Sequence, residues 1–244
     1  MLNIKLTIQY DGSNYSGWQK QKNANSIQEQ IEKAIYLVTG EKVNLIGSGR
    51  TDRGVHALGQ VANFTTLSSI PADRFKFALN SKLPGDISII ESQAVDYEFH
   101  SRYHAKGKRY RYLIFNKPIR NPLYRNYAYH VPYPLDFREM ERAAKFFIGT
   151  HDFASFMASG SSVKDTVRTI YDISLDKKDD LIILSVEGNG FLYNMIRIMV
   201  GTLIDIANNK LKSQDIPAII NAKNRRAAGH TAPPQGLYLE KVYY

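Results

Sequence analysis

The chain has 244 residues, of which 43% are hydrophobic, so an ordinary core is expected and global disorder is not. Lys and Arg outnumber Asp and Glu by 32 to 23, a formal charge of +9, which favours nucleic acid as a partner, ahead of an anionic membrane surface. The chain lacks cysteine, a long apolar run and a signal-peptide core at its start, which excludes disulfides and thiol nucleophiles, argues against a membrane span and fits a cytoplasmic protein.

The first half of the chain predicts mixed strands and helices. Apolar and polar residues alternate from Asn3 to Tyr10, the pattern of a strand with one buried face. A helix is predicted from Ser26, which can form a capping box with Glu29, to Gly40. The other predicted elements are strands at 43–46 and 61–64, a helix opened by Pro71, a turn at 83–86 and a strand at 87–95.

The second half has similar ingredients. A strand is predicted at 108–115, and residues 116–134, with four prolines, are expected to form a long loop. Asp136 and Glu139 predict the start of a further helix. The remaining predicted elements are paired strands at 169–175 and 181–186, helices at 191–207 and from Ser213, and a closing strand at 237–242. This mixture predicts an α+β fold.

The most informative stretch is 49–56, in which Asp52 stands between Arg50 and Arg53. Two adjacent cations favour an ionised carboxylate and are expected to lower its pKa. An acid that stays charged at neutral pH can be a nucleophile, an electrostatic stabiliser or a metal ligand. Glycines at 47, 49 and 54 would allow unusual dihedral angles and close approach of a bulky ligand. The alternative is a surface turn with ordinary salt bridges.

A basic and aromatic run forms the second candidate. Residues 102–111 contain five Lys or Arg and no acid, interleaved with tyrosines and a histidine. Cations neutralise phosphates and rings stack on bases, so the run favours RNA binding over an edge strand protected by charge. The predicted RNA-binding residues in it are Arg102, Lys106, Lys108, Arg109 and Arg111.

Histidines give weaker signals. His100 and His104 would meet on a helix as a metal pair, yet the segment does not look helical and holds no acid between them. We therefore predict no metal site. His56 is expected to form hydrogen bonds in its loop, without a catalytic role.

Arg197 interrupts an otherwise apolar helical pattern. An unpaired buried charge is costly, so the guanidinium needs a partner. Asp52 is one candidate, and snorkelling to solvent is the alternative.

At these residues the chain resembles the tRNA pseudouridine synthase A family, over most of its length. Each matching string is short, but their joint order and spacing are specific. The strings include Tyr10-Asp11-Gly12, Gly17-Trp18-Gln19, Gly49-Arg50-Thr51-Asp52, Gly59-Gln60-Val61, Leu83-Pro84-Gly85-Asp86, Phe99-His100-Ser101-Arg102-Tyr103, Arg109-Tyr110-Arg111-Tyr112, Gly190-Phe191-Leu192, Met195-Ile196-Arg197 and Gly236-Leu237-Tyr238-Leu239.

The resemblance implies isomerisation of uridine to pseudouridine at positions 38, 39 and 40 in the anticodon stem-loop of tRNA, by a homodimer without a cofactor. It assigns the catalytic aspartate to Asp52, the active-site tyrosine to Tyr110 and the basic partner of the aspartate to Arg197. The implied fold has two ferredoxin-like subdomains, at 1–105 and 106–244. Their mostly antiparallel sheets would join around a central RNA-binding cleft.

The target base must leave its stack, which costs a few kcal/mol. Arg50, which belongs to the family pattern, would then fill or hold the vacated space. Arg53 stands where the family commonly has a small residue, and is expected to alter RNA contacts beside the site. Tyr110 would stack on the uracil and assist loss of the C5 proton.

Two other functions would use parts of the same sequence. A non-catalytic RNA-binding protein would use the run at 102–111 and leave every uridine unchanged. A metal-dependent nuclease would use Asp52 and the histidines, but the sequence lacks the clustered acids of such a site.

Overall fold

The structure is a computed structural model that describes residues 1–160 and 163–244. Contacts within it define a first unit, residues 1–106 with 238–244, and a second unit, residues 107–237. The predicted boundary at 105/106 lies next to the first break between the units. Residues 238–244, which the sequence assigned to the second subdomain, belong by their contacts to the first unit.

The described residues form ten strands and five α-helices, joined by short 3₁₀ turns and loops. In the first unit these are β1 (Leu2–Tyr10), α1 (Ile27–Thr39), β2 (Ile46–Gly47), β3 (His56–Thr66), α2 (Phe75–Asn80) and β4 (Ile87–Val95). In the second unit they are β5 (Gly107–Asn116), β6 (Tyr129–Val131), α3 (Phe137–Ala144), β7 (Gly149–Asp152), β8 (Val167–Lys178), β9 (Leu181–Gly188), α4 (Met195–Ala207) and α5 (Ile216–Asn221). The final strand, β10 (Leu237–Tyr243), returns the chain to the first unit.

The sheet of the first unit is built around β1, which pairs antiparallel with both β3 and β4. Strand β10 runs parallel to β3, with Tyr238 opposite His56. The predicted alternation in β1 is confirmed, because Ile4, Leu6 and Ile8 are fully buried. This sheet places the start of β3, and the loop before it, beside β10.

Within the second unit the strands lie in the order β5-β9-β8-β7, with every neighbouring pair antiparallel. The short strand β6 is parallel to β5. Strand pairing within each unit is therefore mostly antiparallel, and the strands are accompanied by helices, which confirms the predicted α+β class.

Two helix starts form as their cap residues predict. The Ser26 hydroxyl accepts a hydrogen bond from the Glu29 N–H, and α1 ends at Gly40, whose φ of 76° lies in the left-handed region. The Asp136 carboxylate likewise accepts from the Glu139 N–H at the start of α3. Each cap satisfies a backbone donor that the helix leaves without a partner.

Other boundaries differ from the sequence prediction. The helix predicted at 191–207 begins only at Met195, because Asn194 before it has a φ of 59°. Strand β3 is longer than the predicted 61–64, since its middle is buried on both faces and shows no alternation. The loop at 116–134 contains β6, and the four-residue strand β7 was not predicted.

Helix α4 is buried at every residue except Arg197. At Gly201 a side-chain Cβ would overlap the carbonyl oxygen of His230, so the chain around His230 lies directly on the helix backbone. The Gly229 N–H donates to the Thr202 hydroxyl at 3.0 Å and fixes the same contact. The segment at 229–232 thus packs directly against the helix that carries Arg197.

The substitution Gly201→Ala is expected to lower the free energy of unfolding by about 1–3 kcal/mol, the usual cost of overpacking. Alanine has the better helix propensity by about 1 kcal/mol, so a stabilised variant would contradict this contact. Urea unfolding followed by circular dichroism measures the change. The control is Gly85→Ala, where a Cβ meets nothing within 4 Å.

Candidate active site

Asp52 lies in the irregular loop between β2 and β3 of the first unit. Its side chain is half-buried, whereas Arg50 and Arg53 are exposed. The Asp52 carbonyl accepts a hydrogen bond from the Val55 N–H at 3.1 Å, and Gly54 within this turn has a φ of 76°. The turn therefore needs glycine at this position, and it directs the chain from Asp52 into β3.

The residue before Asp52 fastens the loop to the sheet. Thr51 is buried, and its hydroxyl lies 2.8 Å from the hydroxyl of Tyr10 at the end of β1. Burial raises the pKa of Tyr10, so this hydroxyl keeps its proton at neutral pH. The Thr51 carbonyl also accepts from the Trp18 N–H at 3.1 Å. Side chain and backbone of Thr51 are thus both held, which restricts the position of Asp52.

Two glycines bring a second segment against the loop. Gly17, with a φ of 102°, lies so close that a Cβ would overlap the Thr51 carbonyl oxygen. A Cβ at Gly12 would overlap the carbonyl oxygen of Val55. Because both contacts are between backbones, no rearrangement of side chains could accommodate larger residues. The segment at 12–17 therefore acts as a rigid support for the loop.

Gly47 has a different use from the one its position suggested. From the sequence, this glycine is expected to give the backbone freedom and to let a ligand approach closely. In the structure the ring of Trp18 occupies this space, and a Cβ at Gly47 would lie 2.5 Å from the indole Nε1. The missing side chain admits part of the protein core.

Gln60 fixes the other end of the loop. It is fully buried on β3, and its Oε1 accepts a hydrogen bond from the Ser48 hydroxyl at 2.6 Å. Its Nε2 donates to the Gly49 carbonyl at 3.0 Å. The residues that precede Arg50 are consequently tied to the strand that follows Asp52.

His56 is buried at the start of β3 and forms hydrogen bonds, as predicted. Its Nδ1 accepts from the Gly12 N–H at 3.1 Å and lies 3.2 Å from the Asp11 carboxylate. Its ring stacks on Tyr238 with centroids 4.8 Å apart. Through these contacts His56 joins β3 to the supporting segment at 12–17 and to β10.

In the second unit, Tyr110 lies on β5 with only 8% of its surface exposed. Its ring meets that of Phe191 edge to face, with centroids 5.1 Å apart. Lys108, Arg109 and Arg111 lie on the same strand and are half-buried. Strand β5 thus carries a buried aromatic face and partly exposed cations.

Arg197 is held near the start of α4 by backbone and side-chain acceptors. Its Nε donates to the Ala232 carbonyl at 2.8 Å, and its Nη1 donates to the Asn194 side chain at 2.6 Å. The neighbouring Tyr112 hydroxyl donates to the Pro233 carbonyl at 2.7 Å. Burial raises the pKa of Tyr112, and the positive charge of Arg197 partly opposes that rise. The guanidinium is therefore positioned by its own unit. Its proposed pairing with Asp52 stays a prediction.

The basic run at 102–111 is not one strand. Strand β5 begins at Gly107, and Arg102 and Lys106 lie before it in an irregular segment of the first unit, where both are exposed. Ser101 in this segment bonds to Asn63, which lies seven residues, or about 23 Å, along β3 from His56, so the segment that carries Arg102 is anchored far from the start of this strand. The five cations therefore belong to separate places in the fold.

Within residues 1–160 and 163–244, no group of three or more His, Asp or Glu side chains is arranged to hold a metal. His100 and His104 lie in a non-helical segment, where the His100 N–H donates to His104 Nδ1 at 3.4 Å. In the same described residues, no helix has the length and apolar character needed to cross a membrane.

Sequence reasoning missed the residues that support the loop, among them Tyr10, Trp18 and Gln60. All three occur in the strings that carry the family resemblance, which was the available signal. Their function became visible only when the fold brought them to residues that are distant in sequence.

Comparison with known proteins gives similarities to one family. A family model described as tRNA pseudouridine synthase matches residues 6–104 and 143–244. Proteins named tRNA pseudouridine synthase A from Acetivibrio thermocellus, Thermoanaerobacter pseudethanolicus and Caldicellulosiruptor bescii are 59%, 53% and 55% identical to this chain. Each alignment covers 100% of this chain and 100% of the relative.

The Tyr10–Thr51 hydrogen bond gives a stability prediction. Tyr10→Phe and Thr51→Val each leave one buried hydroxyl without this partner, and each is expected to lower the free energy of unfolding by about 1–3 kcal/mol. The double variant should lower the free energy of unfolding by clearly less than the sum of the two single losses. A double-mutant cycle of urea unfolding measures this difference. Tyr36→Phe, at a half-exposed tyrosine, is the control. Strictly additive losses would show that the two hydroxyls do not interact.

Proposed function

The chain belongs to the tRNA pseudouridine synthase A family and is an isomerase of tRNA uridine, and we propose that it acts at positions 38, 39 and 40 of the anticodon stem-loop, with Asp52 as the nucleophile. One observation carries the assignment of the nucleophile: Asp52 is a half-buried carboxylate on a loop that is fixed immediately before it at Thr51 and immediately after it by the turn to Val55. Family membership favours this function over a non-catalytic RNA-binding protein and over a nuclease.

The reaction is balanced within one nucleotide. The bond between C1′ of the ribose and N1 of uracil breaks, the base turns, and a bond from C1′ to C5 forms. C5 loses a proton and N1 gains one, so no electron is transferred and no atom is added. The chemistry thus requires a nucleophile, proton transfer and a site that retains the free base. Attack of the Asp52 carboxylate on C1′ of the ribose or on C6 of the base satisfies this balance equally.

A fixed carboxylate suits such a reaction. A nucleophile already held in place can avoid part of the entropy loss that an ordered transition state demands. Gly17 supports the loop through its backbone, and Gln60 fixes its start, so little reorganisation is needed when the substrate binds. A mobile surface turn would not offer this advantage.

Base flipping is the second part of the proposal. A uridine at the end of a stem must leave its neighbours before Asp52 can reach it, at a cost of a few kcal/mol. Arg50 is exposed two residues before Asp52, so its guanidinium can enter the vacated space. Arg53, also exposed in the loop, would contact the RNA beside the flipped nucleotide.

The cations of β5 would bind phosphates of the tRNA. Lys108, Arg109 and Arg111 are half-buried on this strand, and they lie near Tyr110 in sequence. Each neutralised phosphate adds to the salt dependence of binding. We assign to Tyr110 stacking on the uracil and help in removing the C5 proton, and to Arg197 the stabilisation of the ionised carboxylate. A homodimer acting in the cytoplasm completes the proposal.

The substitution Asp52→Asn is expected to reduce pseudouridine formation by at least about 10³-fold, because the amide is a far weaker nucleophile. Affinity for tRNA should stay within about threefold. Release of tritium from C5-labelled uridine measures turnover, and filter binding measures affinity. Three tRNA substrates, each with a single uridine at 38, 39 or 40, test the positions.

The matched control is Asp73→Asn, which changes an exposed aspartate of the same unit and should leave both quantities unchanged. Turnover retained in the Asp52 variant would refute the nucleophile. Failure of all three single-uridine substrates, with turnover of other uridines, would refute the positions.

The substitution Tyr110→Phe separates the two roles of the tyrosine. The ring and its contact with Phe191 remain, while the hydroxyl is lost. If the hydroxyl assists proton transfer, as we propose, kcat should fall by about 10²–10⁴-fold with little change in tRNA affinity. A normal kcat would leave Tyr110 a stacking role only. The comparison variant is Phe191→Leu, which keeps the Tyr110 hydroxyl and removes the ring that contacts Tyr110.

A further inference from the structure

A stacked pair of aromatic rings, one half-buried and one exposed, lies in the segment at 96–106 of the first unit. The rings of His100 and Tyr103 are stacked, with centroids 4.3 Å apart and planes 29° from parallel. Tyr103 has 75% of its surface exposed, an unusual position for a large ring. The pair is outside the catalytic loop and has no role in the function proposed above.

The His100 ring of this pair is held in place by hydrogen bonds. The N–H groups of Arg102 and Tyr103 both donate to His100 Nδ1 at 3.2 Å. The His104 N–H donates to the His100 carbonyl at 3.1 Å, which closes the turn. The histidine ring therefore has a defined orientation, and Tyr103 rests on it.

The segment is also anchored from below. Asn63 on β3 accepts from the Ser101 N–H at 2.9 Å and from its hydroxyl at 2.7 Å. The Ser101 carbonyl accepts from the Tyr244 hydroxyl at 2.8 Å, and Asn3 donates to the Phe99 carbonyl at 2.9 Å. Three separate parts of the chain thus hold one short turn, so the Tyr103 ring can be presented to a partner without a large loss of entropy on binding.

Charge next to the rings favours a polyanion. The guanidinium of Arg102 lies over the Tyr103 ring at 5.8 Å, and Lys106 is exposed in the same segment. Two exposed acids, Asp96 and Glu98, precede the rings, so the positive charge is local to the side of Arg102. An aromatic face beside a guanidinium is the arrangement that binds an unpaired base and its phosphate.

We infer that His100 and Tyr103 form a stacking platform for an unpaired base of the tRNA, with Arg102 at the adjacent phosphate. The platform is anchored at Asn63, about 23 Å along β3 from His56, which directly follows the Asp52 loop, so it binds a part of the tRNA distant from the reacting uridine. The inference rests on the proposed function only in taking tRNA as the substrate. It predicts an effect on affinity without an effect on the chemical step.

The test compares Tyr103→Ala with the wild-type protein. The dissociation constant for tRNA should rise about 5- to 150-fold, the range reported by alanine substitution at stacked bases. The single-turnover rate at saturating tRNA should be unchanged, and Tyr103→Phe, which retains the ring, should restore affinity. Tyr36→Ala removes a 49% exposed tyrosine elsewhere on the unit and should have no effect.

Two further measurements identify the contact. Ultraviolet cross-linking of tRNA to the protein should modify the peptide that contains Tyr103. Arg102→Gln should weaken binding. It should also reduce the slope of the logarithm of affinity against the logarithm of salt concentration by about one, the contribution of a single phosphate contact. Thermal unfolding of Tyr103→Ala should match that of the wild type, since the ring is exposed.

Unchanged tRNA affinity in Tyr103→Ala would overturn the platform, while turnover lost in Asp52→Asn would still support the proposed function. Conversely, weaker binding by Tyr103→Ala would support the platform even if Asp52→Asn stayed active. A change in oligomeric state with unchanged tRNA affinity would identify the platform as a protein interface and overturn the inference.

Discussion

The close contact between two pieces of backbone, at Gly17 and Thr51, is the constraint on which the Asp52 loop depends. No side chain fits between them, so the distance from the supporting segment to the loop is set by the backbone itself. Thr51 adds its hydrogen bonds to Tyr10 and Trp18, and Asp52 follows immediately. The loop that carries Asp52 is thus placed by core packing, and its position is expected to be insensitive to ionic strength, unlike the proposed RNA contacts.

Positive charge in this protein is distributed rather than concentrated. Arg50 and Arg53 accompany the carboxylate, Arg111 and its neighbours lie on β5, and Arg102 stands on a separate anchored turn. A long, folded polyanion can use such dispersed contacts, because each one adds affinity and together they define an orientation. The net charge given by the sequence indicates the class of partner, and the fold determines where that partner is contacted.

Local chemistry was predictable and distant contacts were not. Ser26, Gly40 and Asp136 act within one helical turn, so their sequence neighbours suffice to predict the caps. Asp52 was proposed as the site residue in the same way, from the residues beside it, and its role stays a prediction. Gly47 was misread because its neighbour in space, Trp18, is distant in sequence. Sequence adjacency likewise does not reveal that Asn63 binds Ser101 and holds the turn before β5, which divides the basic run between two places in the fold.

The pairing of β10 with β3 has a consequence for the order of assembly. Tyr238 lies opposite His56, so the first unit has its last strand supplied by chain that follows the whole of the second unit. During synthesis on the ribosome, β3 and the loop before it must wait for that strand with one edge uncovered. Closing so long an intervening segment is entropically costly and slow. A second unit that folds early would shorten the wait, because it would bring the ends of the inserted chain into a fixed relation.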